Sequence, residues 1–130
     1  MPQNTPNLIA GGDVLPFRFV QLSGSNTGTV LADAAGPAAG VSEKFPKRHN
    51  EDEHAETGDP LSLQAGDVVQ VECGEAIGAG DLVKAGTAGR AFEWDDDTTE
   101  WIHGQAMQAG AAAGAIIWIQ RFNASPSSTA

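Results

Sequence analysis

One phrase recurs along this chain: a glycine, usually followed by aspartate, then a short apolar stretch. It stands at Gly12-Asp13-Val14-Leu15, Gly58-Asp59-Pro60-Leu61-Ser62-Leu63, Gly66-Asp67-Val68-Val69-Gln70-Val71 and Gly80-Asp81-Leu82-Val83-Lys84-Ala85. A last copy, Gly114-Ala115-Ile116-Ile117-Trp118-Ile119, lacks the aspartate. Glycine accepts positive φ and aspartate bonds its own nearby backbone, so the pair is turn chemistry. The residues after it alternate or run apolar over a strand's length. Repeated over 130 residues, this punctuation predicts a small all-β chain, a single-domain β-barrel or sandwich. The 16 glycines interrupt every apolar run before a helical period can establish itself.

Three regions follow from the composition. Residues 1–12 carry Pro2 and Pro6 and read as an extended N-terminal arm, either disordered or docked on a neighbour. Residues 13–122 form the β domain, and the Ser/Pro-rich residues 123–130 read as a flexible C-terminal tail. Strands are expected over 13–22, 29–32, 41–45, 61–63, 68–73, 76–77, 82–85, 90–94, 102–108 and 115–122. In the first of these, Phe17, Phe19 or Val20, and Leu22 supply the apolar face, with Pro16 near its start or at an edge. Residues 47–56, almost all charged or polar, read as an exposed loop. Asp95 to Glu100, between Trp94 and Trp101, reads as the acidic tip of a hairpin with both tryptophans packed beneath it.

Seventeen acids against seven bases leave a net charge of −10. Nucleic acid is a poor direct partner for such a chain, because neutralising phosphates takes clustered Lys and Arg. An anionic membrane surface is disfavoured for the same reason, and no run approaches the ~20 apolar residues of a membrane span. Residues 1–12 lack the basic start and apolar run of a secretory signal, which suits synthesis in a reducing cytoplasm. The single cysteine, Cys73, cannot close an internal disulfide or build a cysteine zinc site, and reads as a small buried hydrophobe.

No catalytic constellation is legible. The histidines are His49, His54 and His103, and no Gly-x-Ser-x-Gly elbow joins a strand to a helix. His-Glu-x-x-His is absent, and the three adjacent aspartates at 95–97 do not give the alternating ligands of a calcium loop. The glycines at 78, 80, 86 and 89 continue into no phosphate-binding motif. The expectation is therefore a non-enzyme with no catalytic residue, no metal and no cofactor. Candidate contact residues are the arm's apolar pair Leu8 and Ile9, the aromatics Phe17 and Phe19, and Trp118, which sits in an Ile-rich strand as core or as interface.

A set of phrases runs through the chain: Phe17-Arg18-Phe19-Val20, Gly28 to Gly36, Gly40-Val41-Ser42, Ala65 to Val71, Ala79 to Val83, Ala88-Gly89-Arg90-Ala91-Phe92, Gly104-Gln105-Ala106-Met107 and Ala109 to Ile119. In these the sequence resembles the small capsid decoration (cement) proteins of tailed bacteriophages. The phrases are turn and strand pieces spread over 13–122; the charged loop and the Trp94–Trp101 segment depart from the pattern. The resemblance implies a β-rich virion protein on the exterior of the mature head, made in the host cytoplasm. It implies the major capsid protein as partner, with the protein itself a homo-oligomer, a trimer above all, that cements neighbouring shell subunits. The alternative is a small-ligand or carbohydrate-binding β module with Trp94 and Trp101 as a stacking platform.

Overall fold

A computed structural model describes residues 8–43, 55–95 and 97–126. Those residues form two five-stranded sheets and a single 3-10 turn at Thr87–Gly89. The first sheet holds β1 (Leu8–Ala10), β2 (Phe19–Gly24), β3 (Thr27–Val30), β4 (Gly40–Val41) and β5 (Pro60–Leu61), in the order β4-β2-β3-β1-β5. The second holds β6 (Val68–Glu72), β7 (Leu82–Ala85), β8 (Ala91–Glu93), β9 (Ile102–Ala106) and β10 (Ile116–Ala124), in the order β6-β10-β9-β7-β8. The chain is a small all-β domain, as the glycine punctuation predicts.

The turns behave as their chemistry demands. Gly58, Gly66, Gly80 and Gly114 all adopt positive φ, between 85° and 93°. Two of the Gly-Asp turns share one wiring. Asp59 N–H donates to Glu56 O at 2.8 Å, while Glu56 N–H donates to Asp59 Oδ2 at 2.9 Å. Asp81 N–H likewise reaches Gly78 O at 3.1 Å, and Gly78 N–H reaches Asp81 Oδ2 at 2.8 Å. The glycine supplies the left-handed residue and the aspartate closes the four-residue turn from both ends.

The first sheet closes on itself. Past β4, Ser42 bridges Leu63, with Glu43 N–H donating to Ser62 O and Gln64 N–H to Val41 O. The interior of this small barrel is filled by Leu8, Ala10, Val14, Val20, Ala55 and Leu61. The second sheet curls the same way. β6 runs on to Cys73, which bridges Ala91 of β8 at the opposite edge. Its concave face carries Val69, Val71, Val83, Ala106, Ile117 and Ile119, and the outside of the barrel presses Phe19, Leu31 and Val41 into that same core. Phe19 and Val20 are both completely buried because β2 lies between the two cores.

Small residues let the halves approach. A Cβ on Gly89 would come within 2.8 Å of Val30 and 3.1 Å of the Arg18 Cβ. Gly74 and Gly86 lie against the ring of Phe92, where a Cβ on either would sit 2.3 Å from ring carbon.

Several sequence expectations need correction. The arm does not extend to residue 12: Leu8–Ala10 is a strand inside the barrel wall, parallel to β3 and antiparallel to β5. β2 begins at Phe19 rather than 13, because Pro16 has no N–H to donate and Phe17 turns left-handed at φ 63°. The segment between Trp94 and Trp101 is no hairpin tip. β7 lies between β8 and β9, so the segment crosses from one side of β7 to the other. β10 runs on to Ala124, past the expected start of the tail, and the Asn123 side chain brackets the Ala38 backbone at 3.1 and 2.8 Å. Residues 1–7, most of the 47–56 loop and 127–130 lie outside the described residues.

Candidate interaction surface

The five candidate contact residues do not form one patch. Leu8 points into the barrel and Phe19 into the shared core, at 5% and 0% exposure, so neither can meet a partner; both are spent on holding the domain together. Phe17 is half-buried, and its backbone docks on both neighbours: its N–H donates to Ser42 O, and its O accepts from Glu72 N–H. Ile9 faces outward from the barrel, and Trp118 faces outward from the second sheet, each close to half exposed.

Around Trp118 the strand register builds a surface. Along β10, Ile117 and Ile119 turn inward, while Ile116, Trp118 and Gln120 turn outward. Opposite them on β6 stand Glu72, Gln70 and Val68. On the other side Gln105 of β9 pairs with Gln120, and Met107, just past β9, donates its N–H to Trp118 O. Val68, Met107, Ile116 and Trp118 are all exposed large apolar side chains. Of these four, sequence reasoning singled out Trp118 alone; the register shows which side chains of the three strands share its face.

At one end of this surface lies a charge cluster that joins the two sheets. Arg18, almost wholly buried, donates from Nη2 to Glu72 Oε1 at 3.3 Å and from Nη1 to Ala88 O at 3.0 Å. Arg90 Nε lies 2.7 Å from Glu72 Oε2, an ion pair whose N–H is not aimed at the oxygen. Neither arginine's Nε has a hydrogen-bond partner.

The edges of the second sheet are covered. The Gln64 amide accepts from Gln70 N–H at 2.9 Å and donates to Gln70 O at 2.7 Å, standing in for a paired strand beside β6. On β8, Ala91 O accepts from Gly74 N–H, and Glu93 N–H donates to Glu75 Oε2.

Three further titratable groups, His103, Cys73 and Lys84, are buried or paired within the fold. His103 is completely buried; its Nδ1 accepts from Ala85 N–H at 2.9 Å, and its Nε2 lies 2.8 Å from Gly36 O. Those partners require the neutral ring with the proton on Nε2. Burial holds the imidazole below its ordinary pKa, against the opposing pull of Gly36 O and Asp33. Burial, and then Glu72, push the Cys73 thiol up, which makes it a poor nucleophile. Lys84 of β7 donates to Glu100 at 2.7 Å and lies 3.5 Å from Asp95. Burial would lower its pKa, but the two carboxylates together hold it above the ordinary lysine value. Trp94 donates its indole N–H to Asp97 O. Among the described residues, no three His, Cys, Asp or Glu side chains gather as a metal site would require. A groove of about 190 Å³ between Gln21, Leu22 and residues 37–39 is smaller than the ~300–1,000 Å³ of small-molecule sites.

No family model matches the chain, and no curated protein does. Among solved structures, the fold is similar to that of the N base of the head fiber gp8.5 of bacteriophage phi29. The two chains are 20% identical and superpose with a TM-score of 0.68 over 89% of this chain and 91% of that one.

Proposed function

We propose that this chain is a non-enzymatic structural protein of a phage particle, bound to the outside of the capsid shell, where it braces neighbouring major capsid subunits. The observation that carries this reading is the likeness, over nearly the whole chain, to the base of a phage head fiber. The side chains agree with it. The buried His103 and Arg18 are used to join strands and sheets, the lone thiol is buried, and the turns carry glycines. The described surface sets the apolar side chains Val68, Met107, Ile116 and Trp118 on a chain of net charge −10.

Such a protein works by binding energy alone. If it binds the mature lattice better than the precursor, it shifts the equilibrium toward the mature form by that difference. Many identical weak contacts on a lattice sum through multivalency.

Purified, intact particles test the reading. The protein should be present in fixed proportion to the major capsid protein, and open to an added protease without disruption of the shell. Absence from the particle, or protection inside it, overturns the proposal.

A further inference from the structure

We propose that Trp118 and the two glutamines beside it bind a neutral polysaccharide, a sugar ring lying on the indole and its hydroxyls on the amides. Trp118 is 44% exposed, and its backbone is fixed at both ends: its N–H donates to Gln108 Oε1 at 2.9 Å, and its O accepts from Met107 N–H at 2.9 Å. Gln70 stands directly across from it on β6, and Gln120 two residues along β10. Those positions set their Cβ atoms about 5 Å and about 7 Å from that of Trp118. Two other glutamines nearby are spent within the fold: Gln105 donates to Gly80 O at 3.0 Å, and Gln108 holds the Trp118 N–H. Among the described residues, the side-chain amides of Gln70 and Gln120 have no such partner. Met107 and Ile116, both exposed, extend the apolar floor beyond the indole for neighbouring sugar units.

Three features select this class of ligand. The first is the kind of polar group. A hydroxyl donates and accepts, as an amide does, so vicinal hydroxyls satisfy both halves of a free amide, whereas a carboxylate or an ammonium satisfies one. The C–H face of a pyranose also meets the negative face of an indole as an aromatic edge does. The second is charge. Glu72, at the margin, is held between Arg18 and Arg90. Nucleic acid, which stacks on aromatics too, takes a cationic track beside them, and an acidic glycan takes Arg or Lys to receive it. The third is shape. The sheet curls around its core, so its outer face is convex. An extended sugar chain crosses a convex crown, whereas a protein partner needs a matching hollow to bury it. The site does not depend on attachment to the capsid; on a particle its weak contacts sum over the copies.

The test is native electrophoresis of the full-length chain through gels containing dextran, mannan, galactan or glycol chitin, with polygalacturonate as the acidic comparison. At a net charge of −10 the chain migrates toward the anode, and binding shows as retardation. At least one neutral polymer should retard the wild type, and polygalacturonate should not. Trp118→Ala should weaken binding about tenfold or more, read from the polymer concentration that halves mobility. Gln70→Ala and Gln120→Ala together should weaken it about fivefold. They leave the indole in place, which guards against a Trp118 variant that fails to fold. Ile9→Ala, a similarly exposed site on the barrel, should change nothing. No retardation by any of the neutral polymers overturns the inference, as does retardation that survives both sets of changes. A Trp118→Ala chain that loses its place on phage particles, when the wild type binds no polymer, assigns the face to a protein instead. Retardation by a chain that is absent from particles overturns the capsid reading and leaves this one standing.

Discussion

Arg18 and Glu72 meet across the seam between the two sheets, with Nη2 3.3 Å from Oε1 in a site nearly closed to water. The carboxylate answers two guanidinium groups, Arg18 from the barrel side and Arg90 from the second sheet. Removing it leaves a buried arginine uncompensated. Glu72→Gln should therefore destabilise the domain by about 3 kcal/mol, the lower end for a broken buried pair, because Arg90 retains contact with water. Urea unfolding reads this as a lower midpoint with an unchanged slope; an unaltered midpoint would show that the pair contributes nothing.

Phe92 sets up a second prediction. Gly74 and Gly86 lie against its ring with no room for a methyl group. Gly86→Ala should cost about 1–3 kcal/mol through overpacking. In the Phe92→Ala background that penalty should largely vanish, with a coupling of roughly 1 kcal/mol or more in a double-mutant cycle. Additive effects would mean that the glycine acts through its backbone alone.

The turn glycines separate conformation from space. Gly80 has φ 89° and open surroundings, whereas Gly12 also has open surroundings but no positive φ. Gly80→Ala should cost about 1–2 kcal/mol, the penalty for a left-handed non-glycine residue. Gly12→Ala should stay within about 0.5 kcal/mol of the wild type. Thermal unfolding of the two variants side by side is sufficient.

His103 gives stability a pH dependence of known sign. The folded chain holds its imidazole neutral and depressed, while the unfolded chain takes up a proton near pH 6.5. Below that pH the unfolded state binds more protons than the folded one, so stability falls as pH drops. The slope is at most about 1.4 kcal/mol per pH unit for one proton. The fall continues until pH passes the lowered folded value, where it ends. The acidic residues add their own pH dependence, so the quantity to measure is the difference between the wild type and His103→Gln, a side chain that cannot titrate. A difference flat with pH from 7 to 5 would contradict the buried neutral ring.

What could be read from the sequence was local, and what could not was pairing at a distance. Four of the five glycines of the repeated phrase, Gly58, Gly66, Gly80 and Gly114, take positive φ, because a tight turn is decided by the few residues within it. The choice between Phe19 and Val20 as the buried face had no answer, since both faces of β2 are covered. Leu8–Ala10 looked like an arm because three residues hold no visible period, and its partners lie some 20 and 50 residues away. Sequence adjacency suggested that β8 and β9 pair; β7 intervenes, and nothing near Trp94 announces it. Arg18, between two phenylalanines, was a polar residue in an apolar run, a signal of burial that the strand pattern alone concealed. Trp118 stood between core and interface until its alignment with Gln70 and Met107 placed it outside.

The covered edges of both sheets have a further consequence. An open strand edge is indiscriminate, because its backbone groups accept any extended segment whatever its side chains. Among the described residues, the two rims of the second sheet are occupied by Gln64, Phe17 and the segment after β6, and the Ser42–Leu63 bridge joins the ends of the first. Recognition through these covered strands then falls to side chains, where substitutions can tune it, rather than to backbone groups, which read no sequence.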